Sequence, residues 1–257
     1  MKKNKVERII TIASIFFVLL IWFLSTNLNW VSPLFVPSPQ RVLRVFRDIM
    51  VNGYQGTPFA MHLLSSMRRL LVACFIAIAS GVTLGLASGY NHKLKAFVEP
   101  IIGFYRPLPP LAYYTLLILW MGIGDPSKIM LLFLAAFAPI YLSCVSAVLN
   151  MKQDYINSAY MLGTSKVQVF FKVLFPACLP GIFTGIRTGV GASYTTLVAA
   201  EMVAAISGIG WMTLDASRFL RHDIVFFGII VMGITGAALD FLLKYVESKI
   251  VPWKGRE

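Results

Sequence analysis

A chain of 257 residues with 58% apolar residues, only 13% charged ones and a mean hydropathy of +0.75 is no ordinary soluble domain. Its net charge of +12 would suggest nucleic acid in a soluble protein. Here the basic residues gather in short polar connections, where they set topology and touch anionic headgroups, so an all-α, polytopic membrane protein with lipid and no nucleic acid as partner is expected.

Lys2, Lys3, Lys5 and Arg8 precede an apolar run from Ile9 to Leu24, which is also how a secretory signal begins. No small-x-small cleavage site follows, and an uncleaved first span with its N-terminus inside is expected. A long outer connection then runs to Ser66. Within it Ser38 can cap a helix and Pro39 suits the first helical position, with Val42, Leu43, Phe46, Ile49 and Met50 on one face and Arg41, Arg44 and Arg47 opposite. Such a helix either lies on the outer leaflet or packs on its own spans.

The second span covers about Leu70 to Tyr90 and carries Ala73, Ala77, Gly81, Gly85 and Gly89 at every fourth residue. Small residues at that spacing let backbones approach closely in a bilayer, which predicts a span buried among neighbours. Asn91–Lys95 forms the inner turn. The third span, about Pro100 to Met121, is broken by Arg106-Pro107-Leu108-Pro109-Pro110, and a break at membrane depth survives only beside protein or a water-filled path. Gly122–Lys128 is a tight outer turn without the GxxxxGK[ST] spacing of a nucleotide-binding loop. The fourth span, about Ile129 to Leu149, leads into a polar stretch.

That stretch, Met151–Pro180, is too polar for hydrocarbon and too patterned for a slack loop. Tyr155 to Leu162 can make two helical turns, Gly163 can end them, Ser165 with Gln168 fits a capping box, and Pro176 is expected to stop the second helix. The residues alone allow a plain connecting hairpin or a docking element.

The fifth span, about Gly181 to Ile206, opens with Gly181, Gly185, Gly189 and Ser193 and holds Arg187 and Glu201. At about 100° per residue these two charges fall on nearly the same side, about 21 Å apart along the axis. Residues 208–223 can form a short surface helix. The sixth span runs from about Ile224 to Leu243, and a basic tail closes the chain. Lys and Arg favour the segments placed inside, so six spans with both ends inside are expected.

Asn157-Ser158-Ala159, three residues, Gly163, nine residues and Val173-Leu174-Phe175-Pro176 together resemble the EAA loop of binding-protein-dependent ABC importer permeases, whose pattern is E-A-A-x3-G-x9-I-x-L-P. Asn157 stands for Glu and Ser158 for Ala, whereas the Gly and Pro that fix the backbone are in place. The resemblance implies a coupling helix that seats in a separate ATPase subunit through Asn157, Ser158, Ala159, Leu162, Gly163, Thr164, Val173 and Pro176. Further blocks at 31–43, 105–113, 122–129, 196–205, 208–212 and 251–255 are similar to the taurine and alkanesulfonate branch, which also contains nitrate, bicarbonate and pyrimidine-precursor permeases.

This family likeness implies an N-terminal helix and outer connection over 1–57, a type 1 transmembrane domain over 58–246 with its hairpin at 151–180, and a cytoplasmic tail over 247–257. It also implies a second permease copy, two ATPase subunits that hold ATP and Mg, and an extracytoplasmic binding protein that delivers taurine or a related solute. No cofactor is expected in the chain itself. A passage between two copies would bury the glycine stripes.

Arg106, Arg187 and Glu201 are the charges placed within spans and hence the candidates for the solute path. The two arginines can instead snorkel to headgroups, and Glu201 can instead anchor the fifth helix by pairing with another span. An ion-driven carrier would also explain buried charge, but it predicts an inverted repeat that is not visible. An enzyme is not expected: His62, His92 and His222 sit at no ligand spacing, no nucleophile–base set stands out, and Cys74, Cys144 and Cys178 predict neither disulfide nor metal site.

Overall fold

The computed structural model describes residues 5–254, so Lys2, Lys3, Arg256 and the last residue of the 251–255 block lie outside the described residues. The chain is helical throughout, with one isolated bridge between Tyr54 and Thr57. Helix α1 spans Lys5–Asn27, α2 Pro39–Asn52, α3 Phe59–Tyr90, α4 His92–Tyr105, α5 Pro110–Met121 and α6 Asp125–Leu149. The hairpin follows as α7 (Gln153–Met161) and α8 (Lys166–Val169), then a π-helical turn over Phe170–Leu174, α9 (Phe175–Ala204), α10 (Ile209–Arg218) and α11 (His222–Ile250).

Among the described residues, five stretches are long and apolar enough to cross a membrane: Ile9–Asn27, Phe59–Tyr90, Asp125–Leu149, Lys166–Ala204 and His222–Ile250, with Pro110–Met121 as a shorter apolar helix. The expected third span is therefore two helices, α4 and α5. Arg106 to Pro109 separate them, because three prolines among residues 106–110 cannot continue an i→i−4 ladder. Asn91 caps α4 through its side chain, so the expected inner turn is already its first residues.

Helix α6 is the axis of the fold, and the two glycine stripes lie against adjoining faces of it. A Cβ on Gly81, Gly85 or Gly89 would meet Ile140, Cys144 or Val148, and one on Gly181, Gly185 or Gly189 would meet Ala147, Ser143 or Ile140. Both stripes are thus consumed inside one chain, and the expectation that a second copy buries them is corrected. Gly85 and Gly185 leave room for backbones that otherwise could not approach. The resulting core holds Ala73, Ala77, Leu131, Leu132, Ile140, Cys144, Leu174 and Leu197, with all three cysteines buried as free thiols.

A second core at the other end joins α2, α10 and α11 through Val42, Val45, Ile49, Met212, Ala216 and Phe227. Helix α2 therefore packs on its own spans: Ser38 caps it, Pro39 opens it, and its buried face is Val42, Val45 and Ile49, leaving Leu43 and Met50 exposed. Helix α10 is likewise no free surface helix, since Met212 and Ala216 are fully buried. Two boundaries move for physical reasons. Helix α3 begins at Phe59, because the polar side chains His62, Ser66 and Arg69 that read as connection are buried on one helical face with partners. Pro176 does not stop the hairpin's second helix. The π turn before it, closed by a bond from the Phe175 N–H to the Phe170 carbonyl, widens the backbone where the proline ring would otherwise strike the carbonyl four residues back.

Candidate functional site

The α7–α8 hairpin is built by local chemistry. Gly163 takes φ +77, its N–H bonds to the Tyr160 carbonyl and the Thr164 N–H to the Ala159 carbonyl, a Schellman closure that satisfies the last carbonyls of α7. The Thr164 hydroxyl donates to the same Ala159 carbonyl at 2.6 Å. Ser165 and Gln168 then complete a reciprocal capping box.

Among the expected coupling residues, Ala159 is buried, Thr164, Val173 and Pro176 are half-buried, and Asn157, Ser158, Leu162 and Gly163 are exposed. Met161 is 89% and Leu162 84% exposed at the hairpin tip. Two large apolar side chains held in water on a doubly capped turn form a surface shaped for a partner, since the chain itself gains nothing by exposing them.

At the opposite end sits a buried charge cluster. The Arg69 guanidinium donates to Glu201 at 2.7 Å, to Asp125 at 2.7 Å and to the Ser207 carbonyl at 2.9 Å. Glu201 also accepts from the Ser66 hydroxyl and from the Gly210 N–H at 3.0 Å. Arg68 pairs with Asp125 as well, and the Lys128 ammonium donates to the Ile123 and Gly124 carbonyls. The buried Arg69 is thus matched by two carboxylates, Glu201 and Asp125, while Arg68 reaches Asp125 from the exposed side. They join α3, α6, α9 and the start of α10. Gly208, at φ +123, packs directly on the Glu201 carboxylate, where any side chain would collide.

Arg187 does not reach toward Glu201. It turns to α11, where it meets Asp240 at 3.1 Å and Glu247 at 3.4 Å, and Lys244 and Lys254 complete that network. Neither arrangement was visible in sequence, because the partners lie far along the chain; the apolar setting of Glu201 was the one signal that a partner had to exist. The Arg106 guanidinium has neither ion pair nor hydrogen bond among the described residues and lies exposed beside a cavity of about 440 Å³ between α6 and α9. Phe75 faces outward, whereas Phe183 is buried packing.

Long apolar helices braced at one end by a buried ion cluster, with a capped hairpin exposing Met161 and Leu162 at the other, define a membrane-embedded protein. The chain belongs to the binding-protein-dependent transport system inner membrane component family, whose model matches residues 81–252. It is thus a multi-pass transport permease, not an enzyme. It is 39% identical to the taurine transport system permease protein TauC of Escherichia coli (strain K12), over 96% of this chain and 90% of that protein. It is 30% identical to the putative aliphatic sulfonates transport permease protein SsuC of Bacillus subtilis (strain 168), over 92% of this chain and 84% of that protein. Identity to the nitrate import permease protein NrtB of Synechocystis sp. is 32%, over 84% of this chain and 81% of that protein.

Proposed function

We propose that this chain is the permease of an importer for taurine or a related small sulfonate. Two copies of it form the passage, an extracytoplasmic binding protein delivers the solute, and two ATPase subunits, which bind ATP and Mg, seat on the α7–α8 hairpins. The observation that carries the solute is the 39% identity to a taurine permease over nearly the whole chain, against 30% and 32% for the sulfonate and nitrate relatives.

The ATPase seat is supported by the exposed Met161 and Leu162 on a rigid turn. Lys93, Lys95, Lys152, Lys166, Lys172, Lys244 and Lys249 all fall at the hairpin end, which favours that end, and both termini, in the cytoplasm. Of the charges within the helices, Arg106 is assigned to the solute path, while Arg187 and Glu201 brace its walls through their ion pairs.

Uptake of labelled taurine into proteoliposomes carrying the permease, its ATPase and its binding protein tests the reading. ATP-dependent uptake that resists excess alkanesulfonate and nitrate is the expected result. ATP-dependent uptake of a competitor but not of taurine would move the solute and keep the machine.

A further inference from the structure

Arg106, in the turn between α4 and α5, presents a guanidinium that meets no counter-charge among the described residues. Glu201 is met by Arg69, and Arg187 by Asp240 and Glu247, but no carboxylate, hydroxyl or carbonyl is in reach of the Arg106 guanidinium among the described residues. An exposed guanidinium whose donors are all unused is open to an anion from solution.

The groove beside it mixes polar and apolar groups, with Leu142 and Ala147 among the latter. Its wall carries Ser143, Ser146 and Asn150 from the last turns of α6 and Thr184 from α9, with Gly181 opening the space between the helices. The volume of about 440 Å³ falls within the range of about 300–1,000 Å³ typical of small-ligand sites. The Asn150 amide donates to Ser146 at 3.0 Å, which leaves the Asn150 carbonyl oxygen free to accept a proton from a ligand. Pro107, Pro109 and Pro110 lock the backbone that presents Arg106, so the guanidinium is offered from a stiff support rather than a slack loop.

We propose that Arg106 and this groove form a subsite for the oxyanion head of the transported solute, a sulfonate held by the guanidinium fork and the Ser143 and Ser146 hydroxyls. The proposal rests on the sulfonate-permease reading above and names the residues that meet the solute. Guanidinium is the side chain that matches a tetrahedral oxyanion with two parallel bonds, and the Asn150 carbonyl would take the ammonium of a zwitterion. One arginine without a closed cage holds the solute weakly, as a passage requires. The groove shares Ala147, Asn150 and Gly181 with a second cavity of about 600 Å³ that reaches Tyr155 and Trp253 beside the hairpin, so the two lie side by side.

A phospholipid phosphate is also a tetrahedral oxyanion, so the test separates the two sources. The complete complex is reconstituted in liposomes of phosphatidylcholine alone and in liposomes containing phosphatidylglycerol, and ATP-dependent uptake of taurine, ethanesulfonate and nitrate is measured. Arg106→Gln is expected to lower uptake of whichever anion the wild type carries by about tenfold or more in both lipids, with Arg106→Lys intermediate and ATPase subunits still bound. The double variant Ser143→Ala, Ser146→Ala is expected to lower it several-fold.

Uptake by Arg106→Gln within twofold of wild type overturns the subsite, and so does a loss confined to phosphatidylglycerol liposomes, which would assign the arginine to lipid. If Arg106→Gln fails to assemble, unchanged uptake by the double variant overturns it. A wild type that carries nitrate and not sulfonates, with that uptake lost in Arg106→Gln, sinks the sulfonate reading while upholding the oxyanion subsite.

Discussion

Arg69 donates to Glu201 at 2.7 Å across 132 positions of sequence, and both side chains are buried, at 5% and 1% exposure. The pair closes the end of the bundle remote from the hairpin, since Glu201 also accepts from Ser66 on α3 and from the N-terminal turn of α10. Glu201→Gln leaves Arg69 without its most buried counter-charge. It is expected to destabilise the chain by roughly 3–5 kcal/mol, read as a fall in the unfolding temperature of the detergent-solubilised protein and in the yield of assembled complex. Replacing both residues by methionine should recover part of that loss, because an apolar pair of similar volume carries no desolvation penalty. A Gln variant as stable as wild type would remove the anchoring role and return Glu201 to the solute path.

What the sequence shows and what it hides follows from distance along the chain. The hairpin was legible in detail because Gly163, Ser165 and Gln168 act on neighbours within five residues. The glycine stripes announced close packing, but their common partner α6 did not, since a stripe carries no address. Pro176 read as a stop because the π turn that absorbs it has no local sequence mark. The polar start of α3 read as connection because the carboxylates and backbone groups that satisfy Ser66 and Arg69 come from α6, α9 and α10.

Two glycines of similar setting in sequence separate cleanly in space. A Cβ on Gly85 would stand 2.6 Å from the Cys144 Cβ and 2.8 Å from the Tyr141 carbonyl oxygen, whereas one on Gly103 would meet nothing within 4 Å. Gly85→Val is expected to push α3 from α6 and cost about 1–3 kcal/mol or more, while Gly103→Ala leaves stability unchanged or slightly raised by its better helix propensity. Thermal unfolding of the two variants side by side checks this, and equal stabilities would contradict the packing.

Tyr54 ties the loop before α3 to α10 by donating to Asp215 at 2.8 Å. Burial first, and the Asp215 carboxylate next, push its phenol up to about 12. The folded value lies above the value near 10 of the unfolded chain, so this tie contributes fully below pH 10 and is lost as pH rises through about 12. Tyr54→Phe is expected to lower stability by about 1 kcal/mol at pH 7 and to flatten the decline above pH 10. Unfolding temperatures of both proteins between pH 7 and pH 11 give the comparison, and parallel curves would refute it.

Gly163 has open space around its Cβ position, so a substitution there acts through the backbone alone. At φ +77 a β-branched residue costs about 1–2 kcal/mol, and the turn would relax to relieve it. Gly163→Val is expected to raise the ATP hydrolysed per solute imported, with Gly163→Asn milder because Asn tolerates the left-handed region. Unchanged stoichiometry in the valine variant would separate the hairpin from coupling.

The hairpin tip makes the sharpest separation of folding from docking. Met161 and Leu162 touch water over most of their surface, so Leu162→Glu leaves the chain's own packing and caps intact and is expected to shift its unfolding temperature by less than about 2 °C. If the tip seats in an ATPase cleft, the same change buries a carboxylate against apolar walls and should cost 2 kcal/mol or more of association, about thirtyfold in affinity. Co-purification of ATPase with the tagged permease, together with the basal ATPase rate of the complex, reads that loss. An ATPase that stays bound at wild-type affinity would place its seat elsewhere on the cytoplasmic face, and the exposed Met161 and Leu162 would then need another partner.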